Sequence, residues 1–191
     1  MVGKSSGNNK SVVKYIAAFL FIAVLAYSGY HYTQICAGAR HANEVMEEMR
    51  AVIPGLGVDT DVSSGNGRDP LPEVVISDKG IVGCIQVPAI EVTAPVTSTG
   101  QEEEGFATLI GGSPVKGNLK ISGGRKDVFR NLSKVRPGDT VAFTDIDGVR
   151  YNYRVLTQFH LKDWDEADQE LLLCFRTDDD TMFVVGCTEA N

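Results

Sequence analysis

The stretch Asp180-Thr-Met-Phe-Val-Val-Gly-Cys-Thr-Glu-Ala-Asn191 decides how the rest of the sequence is interpreted. Residues 181–186 form a short apolar run of β-branched and aromatic residues, which predicts a buried strand. Cys187 follows directly at the carboxyl end of that run. A thiol in this place either packs as a small hydrophobic group or acts as a nucleophile. Other segments of the sequence are needed to distinguish these two interpretations.

Composition and charge restrict the class of protein. The chain has 191 residues, of which 43% are hydrophobic and 23% charged, with a net charge of −7. These values are ordinary for a globular domain with an appended segment. All 25 acidic residues come after position 43, and the charges before that point are carried by Lys4, Lys10, Lys14 and Arg40. The acidic balance of the main part argues against a nucleic-acid partner.

The first third of the chain predicts a membrane anchor. Residues 1–14 are polar and basic and predict a cytoplasmic tail, and residues 15–32 are uncharged and largely apolar and predict a transmembrane helix. The lysine excess places the N-terminus in the cytoplasm, so the rest of the chain is expected outside a cell membrane crossed once. A cleaved signal peptide is the competing interpretation, because Ala37-Gly-Ala39 resembles a small-residue cleavage site.

Three segments follow the predicted anchor. Residues 33–54 predict a juxtamembrane helix, in which Val45, Met46, Met49 and Val52 form one apolar stripe. Residues 55–72 are rich in Gly, Ser, Asp and Pro and predict a linker. Residues 73–191 contain many short β-rich runs separated by turn signals, among them a hairpin turn at 145–148. This pattern predicts a mainly β barrel or sandwich.

The four cysteines and one acidic run are the candidate metal-binding or disulfide-forming residues of the sequence. Cys36, Cys84, Cys174 and Cys187 lack CxxC spacing and have no neighbouring histidine pair, so neither a metal site nor another cofactor is predicted. A Cys84–Cys174 disulfide remains open. The run of three glutamates at 102–104 is interpreted as a solvated loop, with calcium binding as the alternative.

Four segments, in this order, resemble the sortase family of cysteine transpeptidases. The opening strands of the family are similar to Gly83-Cys-Ile-Gln-Val-Pro-Ala-Ile-Glu-Val-Thr-Ala-Pro-Val96. The next segment, from Asn118 to Leu132, resembles the family segment "N-x-x-I-x-G-H-R-D-x-x-F-R-N-L". The turn that follows in the family is similar to Val135-Arg-Pro-Gly-Asp139. Phe183-Val-Val-Gly-Cys187 stands where the family has "T-L-x-T-C". The resemblance implies an eight-stranded β-barrel with short helices on a Gram-positive cell surface.

The family's chemistry implies three catalytic side chains. A cysteine forms a thioester with a sorting-signal peptide of a surface protein, a histidine transfers protons, and an arginine stabilises the oxyanion before a cell-wall or pilin amine accepts the peptide. By this resemblance Cys187 aligns with the nucleophile and Gly124 occupies the histidine position. The arginine is expected on the strand that follows Cys187, but the sequence ends at Asn191, before such a strand. The expected barrel therefore lacks its last strand, and its open edge invites association.

No other residue is expected to replace the missing groups. His160 is interpreted as a surface or half-buried residue of a strand. Arg125 follows the histidine position and is expected to point to the other side of the extended chain, and Arg176 is expected at the opposite end from Cys187. Three hypotheses follow: a membrane-anchored transpeptidase, a catalytically dead binding protein or truncated gene product of the same fold, and an unrelated tethered β-domain. The sequence favours the family and, for this chain, weak or absent activity.

Overall fold

The structure is a computed structural model and describes residues 19–27, 40–53, 67–98, 103–162, 169–177 and 181–190. The pattern of contacts divides the chain into two compact units, Met1–Ala37 and Gly38–Asn191. In the first unit, residues 19–27 are helical, and apolar side chains such as Phe19 and Phe21 are exposed. Among the described residues no helix has the length and apolar character needed to cross a membrane. The other residues of the predicted 15–32 anchor lie outside the described part.

Within the described residues of the second unit, nine strands form one sheet. They are β1 (Val74–Ile76), β2 (Lys79–Val87), β3 (Val92–Thr97), β4 (Ala107–Gly111), β5 (Leu119–Gly123), β6 (Thr140–Asp145), β7 (Arg150–Leu161), β8 (Leu171–Arg176) and β9 (Met182–Glu189). Residues 40–52 form a helix, and three short 3₁₀ turns lie between the strands. The predicted mainly β architecture is therefore confirmed.

Eight of the strands close into a barrel. The order β2-β3-β4-β5-β8-β9-β7-β6 returns to its start because β6 also pairs with β2, while β1 pairs only with the first residues of β2. The prediction of a missing last strand was wrong. Since β9 is hydrogen-bonded to β8 on one side and to β7 on the other, no open edge remains where the sequence predicted one among these described strands. Closure satisfies the backbone groups that an edge would expose.

Side chains that alternate along the strands fill the barrel interior. On β8, Leu171, Leu173 and Phe175 belong to the interior cluster, whereas Leu172 and Cys174 belong to a second cluster on the other face of the sheet. Successive side chains of a strand point to opposite faces, so this division follows from the period of two. The largest fully buried interior side chains include Phe129 and Phe143.

The helix at residues 40–52 covers one part of the sheet. Its side chains Val45 and Met49 are fully buried and pack, with their helical neighbours, against a cluster that contains Ile81 and Phe106. Val52, on the other side of the helix, is 62% exposed. The apolar stripe predicted from the sequence is therefore the buried face, except at Val52.

The hairpin between β6 and β7 follows the sequence signal at residues 145–148. The buried Asp145 Oδ1 accepts hydrogen bonds from the backbone N–H of Asp147 at 3.0 Å and of Val149 at 2.9 Å. Gly148 has a φ of 84°, a conformation that favours glycine. Burial raises the pKa of the Asp145 carboxyl against the opposing effect of these two donors. The predicted hairpin is confirmed.

The described cysteines are thiols in three different places. Cys84 packs with the helix at 40–52, Cys174 lies in the cluster on the outer face of β8 and β9, and Cys187 lies in the barrel interior. All three are buried, and none is part of a disulfide in the described structure. The Cys84–Cys174 disulfide that the sequence left open is therefore not formed.

Because β9 lies between two strands, shortening its interior side chain Val185 should measurably lower the free energy of unfolding. Val185 is fully buried between strands β7 and β8, so Val185→Ala should lower the free energy of unfolding by about 2–3 kcal/mol through lost burial and a residual cavity. Val75→Ala makes the same chemical change in β1, where the side chain is 69% exposed, and should cost less than about 0.5 kcal/mol. Urea unfolding of both variants measures the difference, and equal losses would contradict the barrel position of β9.

Candidate active site

Cys187 lies within β9 and not at its end. The strand continues to Glu189, and Cys187 pairs with Leu171 of β8 and Val155 of β7. Its side chain is completely buried among the apolar residues of the barrel interior. Burial raises the pKa of the Cys187 thiol to about 12, because the charged thiolate would be desolvated there. In this place the thiol packs as a small hydrophobic group.

Gly124 follows the last residue of β5 and begins a chain of tight turns. Its carbonyl oxygen accepts from the backbone N–H groups of Asp127 and Phe129, both at 3.1 Å. A Cβ placed on Gly124 would come within 3.3 Å of the Asp127 Cβ, a close contact that a small shift of a few tenths of an ångström relieves. The backbone at this position therefore admits a Cβ.

The structure does not bring Cys187 and Gly124 together. Cys187 pairs with Leu171, and Leu171 pairs with Leu119, the first residue of β5. Gly124 is five residues further along, which corresponds to about 17 Å at the rise of an extended strand. A catalytic thiol and its imidazole partner need to lie within hydrogen-bonding reach of one another. Cys187 and Gly124, which the sequence analysis combined in one catalytic site, therefore lie toward opposite ends of the barrel.

The strand that ends beside Gly124 is β8. It runs parallel to β5 in the register Ser122↔Cys174, and continuing this register by two residues places Gly124 beside Arg176. Gly124 and Arg176 also line one cavity of about 330 Å³. Arg176 is the last residue of β8 and pairs with Met182, the first of β9. This end of the barrel is thus built by the end of β5, the end of β8 and the start of β9.

Cys174 is the described thiol that lies nearest to Gly124 along the sheet, and sequence reasoning did not select it. It pairs with Ser122, two residues before Gly124, and its side chain is 1% exposed in the outer cluster with Leu161 and Val184. The available sequence signal was the apolar run Leu171-Leu-Leu173 before it, which resembles an interior strand as much as the approach to a nucleophile.

The described histidines do not serve either thiol. His160 is an exposed residue of β7 that pairs with Phe183, and its ring meets the Phe183 ring edge-on at a centroid distance of 5.3 Å. Phe183 belongs to the interior cluster, whereas Cys174 belongs to the outer one. Along β9, Phe183 is also four residues from Cys187, about 13 Å. His41 lies in the helix at 40–52, against Phe106.

Basic side chains gather at the end of the barrel marked by Gly124. A cavity of about 650 Å³ is lined by Arg125, Lys126, Arg130 and His160 together with Phe175 and Phe183. The Arg125 guanidinium carbon lies 6.0 Å from the centroid of the Phe175 ring. Phe175 and Phe183 stack on each other with centroids 5.3 Å apart. The arrangement offers cationic donors and an aromatic wall rather than a nucleophile.

Metal binding has no support from the acidic loop. Glu103 forms an ion pair with Lys79, and Asp127 accepts a hydrogen bond from the Gly105 backbone N–H. Within the part of the chain that the structure describes, no group of three His, Cys, Asp or Glu side chains is arranged to hold a metal ion. Glu102 lies outside the described residues.

The raised pKa of Cys187 predicts a pH-dependent contribution to stability. An unfolded thiol has a pKa of about 8.5, whereas the folded one has a pKa of about 12, so with rising pH the unfolded state loses its proton first and becomes favoured. Between pH 7 and 10 this thiol should cost the folded state about 2 kcal/mol. The free energy of unfolding of the chain with Cys187, minus that of the Cys187→Ala variant, should therefore fall by about 2 kcal/mol between pH 7 and 10, as measured by urea unfolding. A constant difference across this range would show that the thiol is not buried.

Comparison with known proteins identifies the family. Residues 85–191, more than half of the chain, match the family described as the Sortase domain. The solved structure of sortase A from Corynebacterium diphtheriae is similar, with a TM-score of 0.53 and 15% identity over 88% of this chain and 96% of that one. A Clostridium perfringens Sortase D5 transpeptidase has a TM-score of 0.50 and 19% identity over 58% and 79% of the two chains. No curated protein matches. The chain belongs to the sortase family.

Proposed function

We propose that this chain is a sortase-fold protein that does not carry out thiol transpeptidation and acts as a binding or accessory protein. Membership of the family supports a transpeptidase role in general and implies sorting-signal peptides and amine nucleophiles as its substrates. One observation carries the proposal for this chain: Cys187 lies inside the barrel, about 17 Å along the strands from the position of the family's histidine.

The order of strands supports a different match to the family's cysteine strand. Because β8 runs parallel to β5 and ends beside Gly124, we assign β8 as its counterpart and β9 as the strand that follows. Arg176 then stands at the strand end where a nucleophile is needed. β9 has the sequence Met182-Phe-Val-Val-Gly-Cys-Thr-Glu189 and contains no arginine. Gly124 stands in place of the histidine, β9 has no arginine, and the thiol of the assigned strand, Cys174, is buried in the outer cluster.

The chemical consequence is a large loss of rate. With a pKa of about 12, only about one Cys187 side chain in 10⁵ would be ionised at pH 7. A missing general acid typically costs about 10²–10⁴-fold in rate and a missing oxyanion donor about 10²–10³-fold. These losses together remove the means of forming and resolving a thioester.

We expect no cysteine-dependent turnover of sorting-signal peptides. The full-length chain in a neutral detergent is incubated with a pool of such peptides and an amine acceptor, and mass spectrometry follows cleavage and transfer. Cys187→Ala and Cys174→Ala are the matched controls. The three samples should be indistinguishable, because no described imidazole lies near either thiol. Turnover that Cys174→Ala abolishes would overturn the proposal and identify Cys174 as the nucleophile.

A restored histidine distinguishes the two thiols further. In Gly124→His the new ring lies two residues along the sheet from Cys174, but about 17 Å from Cys187. Residue-resolved alkylation should then change its pH dependence at Cys174 and stay unchanged at Cys187. A change confined to Cys187 would contradict the strand assignment.

We also propose that the protein is anchored in the cell membrane with its domain outside. The lysines before residue 15 and the exposed apolar side chains of the helix at 19–27 support this, since such side chains need an apolar environment. Protease added to intact protoplasts should digest the domain and spare a fragment that contains residues 15–32. Protection of the whole chain would overturn the topology, and a soluble product beginning at Arg40 would favour a cleaved signal peptide.

A further inference from the structure

We infer that residues 67–72 form a strap that closes one end of the barrel and is released without unfolding of the strands. The end concerned is the one at which Cys187 and Leu119 lie, away from Gly124. Release uncovers the hydroxyl group of Tyr151 and opens this end to solvent. The inference goes beyond the proposed function, because neither thiol chemistry nor the cavities beside Gly124 take part in it.

Strand order places two turns on opposite sides of this end. The turn at Pro114–Lys116 lies between β4 and β5, and the hairpin turn at residues 146–149 joins β6 to β7. Both turns lie at the end where β9 finishes, because β5 starts beside the start of β8 and β7 is antiparallel to β9. In the closed barrel, β5, β8, β9 and β7 separate the two turns on one side, and β4, β3, β2 and β6 on the other. A segment that contacts both turns therefore crosses the end of the barrel.

The strap makes one ion pair with each of these two turns. Arg68 donates from Nε to Asp147 Oδ2 at 2.8 Å, and a second guanidinium nitrogen also donates to this carboxylate, which lies in the hairpin turn. Asp69 Oδ2 lies 2.7 Å from Lys116 Nζ in the other turn. Leu71 packs against the interior cluster of the barrel. The strap is therefore tied at two opposite points and carries an apolar contact as well.

Gly67 lies where the two sides of the barrel end come closest to the strap. A Cβ placed on Gly67 would overlap the Tyr151 hydroxyl oxygen and would lie 3.0 Å from Val115 Cγ2. Tyr151 belongs to β7 and Val115 to the turn before β5. The closed strap thus passes between these two side chains, and a glycine allows the backbone to come this close.

The contacts that hold the strap are weak. The side chains of Arg68 and Lys116 are 62% and 61% exposed, and ion pairs in such positions contribute little to stability. Closure also leaves the Tyr151 hydroxyl oxygen buried without a hydrogen-bond partner among the described residues. Burial of an unpaired polar group costs at least as much as one exposed ion pair contributes. The closed and released strap are therefore close in free energy, and release returns the hydroxyl group to water.

The test measures how fast N-acetylimidazole acetylates the Tyr151 hydroxyl. The full-length chain in a neutral detergent is treated at neutral pH under single-hit conditions, and mass spectrometry of its peptides gives the rate at this residue. Tyr151 should react more slowly than free tyrosine amide. Arg68→Gln and Lys116→Gln should each raise the rate about two- to fivefold, the factor expected for loss of one exposed ion pair.

A matched control removes a guanidinium group from another exposed ion pair. Arg50 pairs with Glu47 within the helix at 40–52, and neither residue contacts the strap in the printed ion pairs of the described chain. Arg50→Gln should leave the Tyr151 rate unchanged. An equal rise in this variant would mean that the effect does not come from the strap, and would refute the inference.

Salt and charge exchange test the ion pairs directly. Sodium chloride at 1 M shortens the Debye length to about 3 Å and should raise the Tyr151 rate in the unmodified chain. It should have less effect in the double variant Arg68→Gln/Lys116→Gln. Arg68→Glu should raise the rate further than Arg68→Gln, and the addition of Asp147→Arg should restore protection. Failure of this exchange to restore protection would contradict the pairing of residues 68 and 147 as the closing contact.

Alkylation of Cys174 distinguishes release of the strap from unfolding. This thiol is buried in the outer cluster and should stay equally unreactive in every variant. Tyr151 that reacts like free tyrosine amide in the unmodified chain, or at one rate in the unmodified chain and both charge variants, would refute a closed strap. Cys174 that becomes reactive together with Tyr151 would show that the strands must unfold, which also refutes the inference.

Discussion

The pairing of β9 with β8 on one side and β7 on the other is the constraint on which the rest of the structure depends. These contacts and the pairing of β2 with β6 turn a nine-stranded sheet into a closed barrel. Closure fixes the register of every strand, since a shift of one residue would turn interior side chains such as Val185 outward. It therefore also fixes which residues meet at each end of the barrel, and so the composition of the site.

The barrel architecture does not depend on which side chains stand at the ends of its strands. Stability comes from the interior cluster, whose members are apolar whether or not the strand ends carry catalytic groups. Gly124 and Arg176 lie outside that cluster, so substitutions at these two positions leave the interior packing intact. Fold and activity are separate properties, so membership of the family does not by itself fix the chemistry at the strand ends.

Particular residues show what the sequence could and could not predict. The hairpin at Asp145 and the end of β5 at Gly124 followed from local turn chemistry and a motif. Cys187 was expected at a strand end because the apolar run at residues 181–186 stops directly before it, but the ladder with β7 continues through Thr188 and Glu189. The missing strand was predicted because the segment Phe183–Cys187 was matched with the family's cysteine segment, whereas the structure pairs β9 with β8 on one side and β7 on the other. Contacts such as His160 with Phe183 join distant segments and leave no local signal.

Closure through β2 and β6 also has a consequence for how the chain reaches its native state. The pair Gly83↔Asp145 and the pair Ser122↔Cys174 each join segments separated by about 50 to 60 residues. Such contacts pay the entropy of closing a long loop before they gain any packing, and folding rates fall as the sequence separation of contacts rises. β9 is synthesised after both of its partners, β7 and β8, and must insert between them. Slow, late-completing folding is therefore built into this topology, with the unpaired β7 edge transiently exposed to other chains.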